Sequence, residues 1–269
     1  MSSGLAEARR QAAIANRVLA ELGLCTGITA TLGHASMRVP DDPGKFVIKG
    51  RGYAIDALAA MTPEQLVVCD LDGYQLEAPD GVTQCFEVKL HSTIYRSRPE
   101  IQGIVHAHPR YTVLMSVLGQ TLVPMCQEGS ALVRTPLPVY PHSKIIVTDE
   151  EGMEVAQTMG ERPAVLLFGH GAVTASKTLD GAVTDMLSLE EQARMNYLAY
   201  AAAGTTHPFI PDALIEEADA RPPLPTLPHF VDSMRGSRPE VRGVWMYYAD
   251  KVARTLDGEQ PAAPHRASR

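Results

Sequence analysis

Short blocks of apolar and polar residues divide the chain into alternating helical and extended patterns. The amphipathic spacing of residues 1–23 predicts a first helix. Runs rich in valine and isoleucine at 46–49 and 66–71, each bounded by turn residues, predict strands. Residues 86–98 have helical spacing and stop before Pro99, as expected because proline disfavours a helical residue in front of it.

The centre and the C-terminal half continue the mixture without a strict strand–helix–strand alternation. The same patterns predict strands at 101–108 and 163–173 and helices at 110–119, 178–203 and 243–256. Two glycines interrupt the second of these strands. We therefore predict one α/β domain with a central, largely antiparallel sheet and helices on its faces, followed by a proline-rich C-terminal extension.

Composition narrows the function classes. The 269 residues are 45% hydrophobic and 20% charged, with a formal net charge of −7, which is typical of a globular protein of one large or two small domains. We expect no nucleic-acid partner, since no basic cluster is present, and no membrane span, since no apolar run reaches about 18 residues. The four cysteines form no CxxC pair, so we expect reduced thiols and a cytoplasmic location.

Two histidines close the predicted strand 101–108. Side chains at positions i and i+2 of a strand point to the same side, so His106 and His108 would present two imidazoles in parallel. A third imidazole, His170, follows the apolar run of the next interrupted strand between two glycines. Three histidines with an open coordination position are typical of a catalytic metal site.

Neither histidine motif is specific on its own. An HxH pair also occurs as buried or surface polar residues, and a GHG triplet is compatible with a tight turn. Glu87 changes the picture because it lies among apolar neighbours, one predicted helix upstream of the HxH strand. A carboxylate there is suited to act as a general acid or base, or as a fourth ligand.

These residues form an ordered pattern. It reads E-x-x-x-H-x-x-I-Y-x-x-R-P-x-I-x-x-I-V-H-x-H from Glu87 to His108, then His170-Gly171, then a long helix with Glu190. In this pattern the chain resembles the class II aldolase/adducin family over residues 8–205. The resemblance implies a three-layer α/β/α fold, with a catalytic domain at 1–205 and an extension at 206–269 that packs on it or on a neighbouring subunit.

The resemblance also implies a metal centre. One divalent ion per subunit, usually zinc, would be held by His106, His108 and His170, with an acid/base role for Glu87. Manganese, cobalt and iron stay open, because three imidazoles suit each of them to a different degree. Family members are commonly homotetramers with sites at subunit interfaces.

The chain departs from the sugar-phosphate members where they bind phosphate. His34 stands in place of an asparagine, Arg51 in place of a serine or threonine, and Cys85 and Phe86 in place of two serines. Phosphate binding requires several hydrogen-bond donors around one site. A guanidinium instead binds carboxylate bidentately, and Phe86 offers an aromatic surface. We therefore expect His34, Arg51 and Phe86 to bind an aromatic acid.

Three functions remain open at this level. The preferred one is that of the dihydroxyphthalate decarboxylase branch, which converts 3,4-dihydroxyphthalate to protocatechuate and CO2. The alternative is a class II aldolase that cleaves a sugar phosphate or sugar acid. A non-catalytic assembly module, as in adducin, is disfavoured by the three retained histidines.

The C-terminal segment supplies one more candidate. The resemblance suggests that Tyr247 closes the substrate site of a neighbouring subunit. Ordinary packing beside Trp245 is an equally good interpretation of this tyrosine.

Overall fold

The computed structural model describes residues 2–232 and 243–258. Its strands are β1 (His34–Val39), β2 (Asp42–Arg51), β3 (Leu66–Asp70), β4 (Gln75–Glu77), β5 (Thr83–Gln84), β6 (Gly103–Ala107), β7 (Val139–Tyr140), β8 (Ala164–Leu167) and β9 (Gly171–Ser176). They form a central sheet in the order β4-β3-β2-β1-β6-β9-β8-β7, with β5 paired to β2. The pairing of β7 with β8 is parallel and the other pairings are antiparallel, which confirms the predicted sheet.

Helices cover both faces of this sheet. They are α1 (Ser3–Glu21), α2 (Val88–Ser97), α3 (Arg110–Leu118), α4 (Ser130–Val133), α5 (Asp149–Met159), α6 (Leu179–Ala203), α7 (Asp212–Asp219) and α8 (Gly243–Leu256). Two apolar cores result, one shared by the sheet with α1, α6 and α8, the other shared with α2 and α5. The architecture is the three-layer α/β/α fold that the sequence predicts.

Alternation along β6 decides which side chains face which core. Val105 and Ala107 belong to the core with α1 and α6, whereas Ile104 belongs to the core with α2. Because strand side chains alternate, His106 lies on the same side as Ile104. The first histidine of the HxH motif therefore points toward the helix that Glu87 precedes.

Two of the predicted elements end differently from the expectation. The strand expected at 101–108 stops at Ala107, so His108 lies just beyond its end. The segment 163–173 forms two antiparallel strands, β8 and β9, rather than one interrupted strand. The connecting turn closes through a hydrogen bond from the His170 backbone N–H to the Leu167 carbonyl, and Gly169 adopts a left-handed φ of 61° in it.

The C-terminal helix packs on the same core as the first helix. Val252 of α8 is 5% exposed, and Trp245 and Tyr248 are partly buried against that core. A bidentate pair also joins Arg10 of α1 to Asp257, at 2.8 and 2.9 Å. Residues 233–242 and 259–269 of the expected C-terminal extension lie outside the described residues.

Membrane spanning is not indicated for the helices described. Within residues 2–232 and 243–258, no helix combines the length and the apolar character that crossing a bilayer requires.

Gly171 is a point of close approach between β9 and the end of β6. A Cβ atom built there would lie 2.3 Å from the Ala107 carbonyl oxygen and 3.1 Å from Cδ2 of the His108 ring. Since the obstruction is backbone, it has little freedom to move. The missing side chain is what lets His108 and His170 come together.

We predict that Gly171→Ala forces these two strand ends apart and lowers the free energy of unfolding by about 1–3 kcal/mol, the usual cost of overpacking. Urea denaturation followed by circular dichroism measures it. Gly243→Ala is the matched control, because no atom lies within 4 Å of a Cβ at that position, and it should change stability by less than about 0.5 kcal/mol. Equal stabilities of Gly171→Ala and wild type would contradict the close-approach argument.

Candidate metal centre and active site

Four side chains named by the sequence converge at the end of the sheet. Ligand atoms of Glu87, His106, His108 and His170 all lie within 4.8 Å of one another. The Nε2 atoms of His106 and His108 are 2.9 Å apart. The two oxygens of Glu87 face His106 Nε2 at 3.3 Å and His170 Nε2 at 3.6 Å.

Each of these side chains comes from a different local structure. His106 is the only one within a strand and is completely buried. His108 follows β6, His170 lies in the β8–β9 turn, and Glu87 occupies the position before α2 rather than the helix itself. The site thus forms where a strand end, a tight turn and a helix start meet.

The tautomer of His106 suits metal ligation. Its Nδ1 lies 3.0 Å from the Ala172 carbonyl oxygen, which is only an acceptor, so Nδ1 must carry the proton. When the ring is neutral, as a metal ligand must be, the lone pair of Nε2 points into the cluster. Metal-binding histidines are commonly held in this way, with the second ring nitrogen donating to a backbone carbonyl.

Burial keeps the other two imidazoles neutral. Burial, with a smaller contribution from the charge of His106, lowers the pKa of His108 to about 3 and that of His170 to about 4. Burial alone would raise the pKa of Glu87, but the charges and hydrogen bonds of His106 and His34 outweigh it and hold that pKa well below the ordinary value. A buried carboxylate beside neutral imidazoles is a donor set that fits one divalent cation.

A cavity of about 660 Å³ adjoins this cluster. Its wall includes His108, His170, Arg110 and Glu190, together with the loop at 22–29. Glu190 accepts hydrogen bonds from the backbone N–H groups of Tyr111 and Thr112, at 3.0 and 2.9 Å. Its carboxylate therefore caps the start of α3, directly after the HxH motif.

Arg51 and Phe86, two of the residues expected to bind an aromatic acid, contact each other. The Arg51 guanidinium stacks over the Phe86 ring at 5.1 Å, and its Nη1 donates to Asp56 Oδ2 at 2.9 Å. Phe86 is 61% exposed and directly precedes Glu87. Asp56 was not foreseen, because nothing in its local sequence signals a partner five residues from Arg51.

His34 lies behind Glu87 rather than on an open wall. It is 2% exposed, its Nδ1 lies 2.7 Å from His91 Nε2, and its Nε2 faces Glu87 Oε2 at 3.7 Å. Sequence reasoning also missed the Ile146 N–H, which donates to Glu87 Oε1 at 3.2 Å. A usable signal for His91 existed, since it stands four residues after Glu87 in the quoted pattern.

Tyr247 is 62% exposed on α8, and its ring contacts Tyr248 at 5.0 Å. The expectation that it closes a neighbouring subunit's site concerns a second copy of the chain, and it stays a prediction.

Comparisons with known proteins agree with this geometry. A family model described as the class II aldolase and adducin N-terminal domain matches residues 10–197. A 3,4-dihydroxyphthalate decarboxylase from Arthrobacter keyseri is 32% identical over 219 residues, covering 79% of this chain and 86% of the relative.

Solved structures share the fold. An aldolase II superfamily protein from Pseudomonas syringae has a TM-score of 0.76 at 21% identity, with 95% of each chain covered. The L-fuculose-1-phosphate aldolase from Thermus thermophilus has a TM-score of 0.61 at 30% identity, covering 78% of this chain and all of that one. Taken with the glutamate and three histidines at the sheet end, these matches show that the chain belongs to the class II aldolase and adducin family.

Proposed function

We propose that this chain is a divalent-metal-dependent decarboxylase of a hydroxylated aromatic dicarboxylate, with 3,4-dihydroxyphthalate converted to protocatechuate and CO2. The observation that carries the proposal is the Arg51–Phe86 stack directly before Glu87, where sugar-phosphate enzymes of the family have small phosphate-binding side chains. The decarboxylase name of the Arthrobacter relative supports it.

His106, His108 and His170 would hold the metal ion in this proposal. Zinc is the first choice, and manganese, cobalt and iron suit the same donors. A divalent cation bound there supplies Lewis-acid stabilisation of negative charge on the substrate oxygens.

Glu87 would move the proton that the reaction needs. As a carboxylate at rest, it takes the proton of the substrate hydroxyl next to the departing carboxylate and returns it to the ring carbon that bears that carboxylate. The carbon–carbon bond then breaks, CO2 leaves, and the electron pair of the bond restores the aromatic ring. A solvent proton finally neutralises the phenolate.

Arg51 would bind the carboxylate that stays on the ring, while the Phe86 face covers the ring itself. The Arg51 guanidinium already donates a hydrogen bond to Asp56 through Nη1. The substrate carboxylate would therefore share this cation with the Asp56 carboxylate. Tyr247 would reach the site from a second copy in a homotetramer. The net charge of −7 and the small cavity favour a small organic acid over a nucleic acid as partner.

The alternative is cleavage of a sugar phosphate or sugar acid. The 30% identity to the L-fuculose-1-phosphate aldolase favours it, because a carboxylate beside three imidazoles also suits proton transfer next to a carbonyl. An adducin-like assembly module would need neither the metal nor Glu87.

A substrate panel separates these functions. We expect zinc-loaded protein to release CO2 from 3,4-dihydroxyphthalate and to leave L-fuculose 1-phosphate intact, as measured by CO2 evolution and by chromatography of the products. Cleavage of the sugar phosphate without CO2 release from the aromatic acid would replace the decarboxylase by the aldolase.

Substitution of Arg51 is a further test that distinguishes the decarboxylase from the aldolase. Since a hydrogen bond to a charged group is worth roughly 1.5–3 kcal/mol, Arg51→Ala should weaken capture of the dicarboxylate by about 10- to 150-fold. Arg51→Lys should recover part of this, because an ammonium group cannot make the guanidinium fork. Undiminished aromatic-acid binding by Arg51→Ala would remove Arg51 from the site.

We predict that alanine at His106, His108 or His170 abolishes metal retention and turnover while the fold survives. Loss of one ligand should cost at least the roughly 10- to 100-fold in affinity that an outer-shell partner contributes. Elemental analysis of dialysed protein measures retention, and circular dichroism checks the fold. His207→Ala, outside the cluster, should retain the metal; a fully loaded ligand variant would show that its histidine is not a ligand.

Glu87→Gln should keep the metal and lose turnover. Glutamine preserves the shape and accepts hydrogen bonds through its carbonyl but cannot carry the proton, and general acid–base groups typically contribute about 10²–10⁴-fold. Steady-state kinetics on metal-matched samples test this. The matched control is Glu154→Gln, which removes a carboxylate bound to Tyr140 away from the cluster. Turnover near that of wild type in Glu87→Gln would end the proton-transfer role.

A further inference from the structure

A series of buried polar side chains runs from Glu87 into the core. His34 Nδ1 lies 2.7 Å from His91 Nε2, His91 Nδ1 lies 2.7 Å from Ser36 Oγ, and Ser36 Oγ lies 2.9 Å from the hydroxyl of Tyr95. All four side chains are at most 2% exposed. So many polar groups in an apolar core are costly unless each is satisfied, and a satisfied network fixes a single arrangement.

Strand β1 and helix α2 carry the series, and the side-chain spacing of each element matches that of the other. His34 and Ser36 are two residues apart on β1 and therefore face α2 together. His91 and Tyr95 are four residues apart on α2 and face β1 together. Each of these four side chains thus contacts an imidazole or a hydroxyl of the other element.

Counting hydrogens sets the direction of the series. Both rings are buried, and the nitrogens of His91 contact an imidazole and a hydroxyl rather than a carboxylate, so each ring is a neutral imidazole with one N–H. Three hydrogen bonds join the four side chains, and Tyr95, Ser36 and His91 supply their hydrogens when each donates toward Glu87. His34 then accepts at Nδ1 and carries its own hydrogen on Nε2, which faces Glu87 Oε2 at 3.7 Å.

The reverse direction leaves a defect. If every donor pointed away from Glu87, the Ser36 hydroxyl would donate to the Tyr95 oxygen. The buried Tyr95 O–H would then need a second partner as its acceptor. Among the described residues, Ser36 is the hydrogen-bond partner shown for that hydroxyl. An unsatisfied buried donor costs about 1–3 kcal/mol, so donation toward the carboxylate is favoured.

The far end of the series is closed. Arg38 lies over the Tyr95 ring at 4.7 Å and donates through Nη2 to the Tyr95 backbone carbonyl at 2.8 Å. Tyr95 itself is 1% exposed. The series therefore ends inside the protein and offers no path to solvent, which leaves orientation rather than proton conduction as its role.

We propose that His34, His91, Ser36 and Tyr95 are positioning residues that fix the Glu87 carboxylate. His34 presents its Nε2–H to one oxygen of Glu87 while the Ile146 N–H holds the other. The proposal rests on the proton-transfer role proposed for Glu87. It replaces the substrate-binding expectation for His34, because that side chain is buried behind the carboxylate.

Isosteric loss of a distant hydroxyl tests this in the metal-loaded protein. Tyr95→Phe and Ser36→Ala should each lower kcat by about 2- to 12-fold, the equivalent of one net hydrogen bond, with KM and metal content unchanged. Tyr140→Phe and Ser92→Ala remove hydroxyls of other buried residues outside the series and should leave kcat unchanged. Equal losses in the test and control pairs would overturn the proposal.

A second readout needs no turnover. In protein labelled with ¹⁵N-histidine, His34 and His91 should both be Nε2–H tautomers, in contrast to His106 with its proton on Nδ1. Their resonances, assigned with His34→Gln and His91→Gln, should shift in Tyr95→Phe and stay in place in Tyr140→Phe.

The kinetic and the NMR measurements together distinguish a failure of the positioning role from a failure of the proposed decarboxylase function. An Nδ1–H tautomer at His34 or His91, or resonances unmoved by Tyr95→Phe, would overturn the positioning role. Failure of the proposed decarboxylase would show as absent CO2 release by wild type, and the tautomers would still decide the arrangement around Glu87.

Discussion

The buried carboxylate of Glu87 is the group on which the rest of the site depends. Removing such an ion from water costs several kcal/mol, so the surrounding chain must compensate for it from every side. A backbone N–H from Ile146 and the rings of His34 and His106 do so here. They come from separate segments, which ties the loop before α5, strand β1 and the β6 end to one group.

Local periodicity explains what could be predicted. The elements at 86–98, 110–119 and 178–203 follow from helical spacing and capping signals, and His106 and His170 were named because apolar runs lead into them. The hairpin at 164–176 was missed, since a strand broken at glycines and two strands joined by a tight turn have the same apolar pattern. The surroundings of His34 and Arg51 depend on contacts with His91 and Asp56. Although His91 stands in the quoted pattern, no spacing rule pairs it with His34, 57 residues away, and nothing in the local sequence pairs Asp56 with Arg51.

The same fold can support different reactions because separate segments of the chain carry the histidine cluster and the residues proposed to contact the substrate. The histidines belong to the ends of β6 and the β8–β9 turn, whereas the residues that would meet the rest of a substrate belong to the end of β2 and the approach to α2. Substitutions at Arg51 and Phe86 alter that wall without touching β6, which carries His106, whereas Cys85 is 1% exposed and belongs to the core with α2. Relatives named as decarboxylases and as aldolases can thus share one fold and differ in what they hold beside the carboxylate.

The pairing of β1 with β6 places His34 directly opposite His106. Because side chains alternate along a strand, slipping either strand by one residue would turn the ring on that strand to the opposite core. A one-residue insertion within β6 would therefore remove His106 from the cluster, and one within β1 would remove His34 from its contact with Glu87. We therefore expect insertions in the loops between these strands rather than within them.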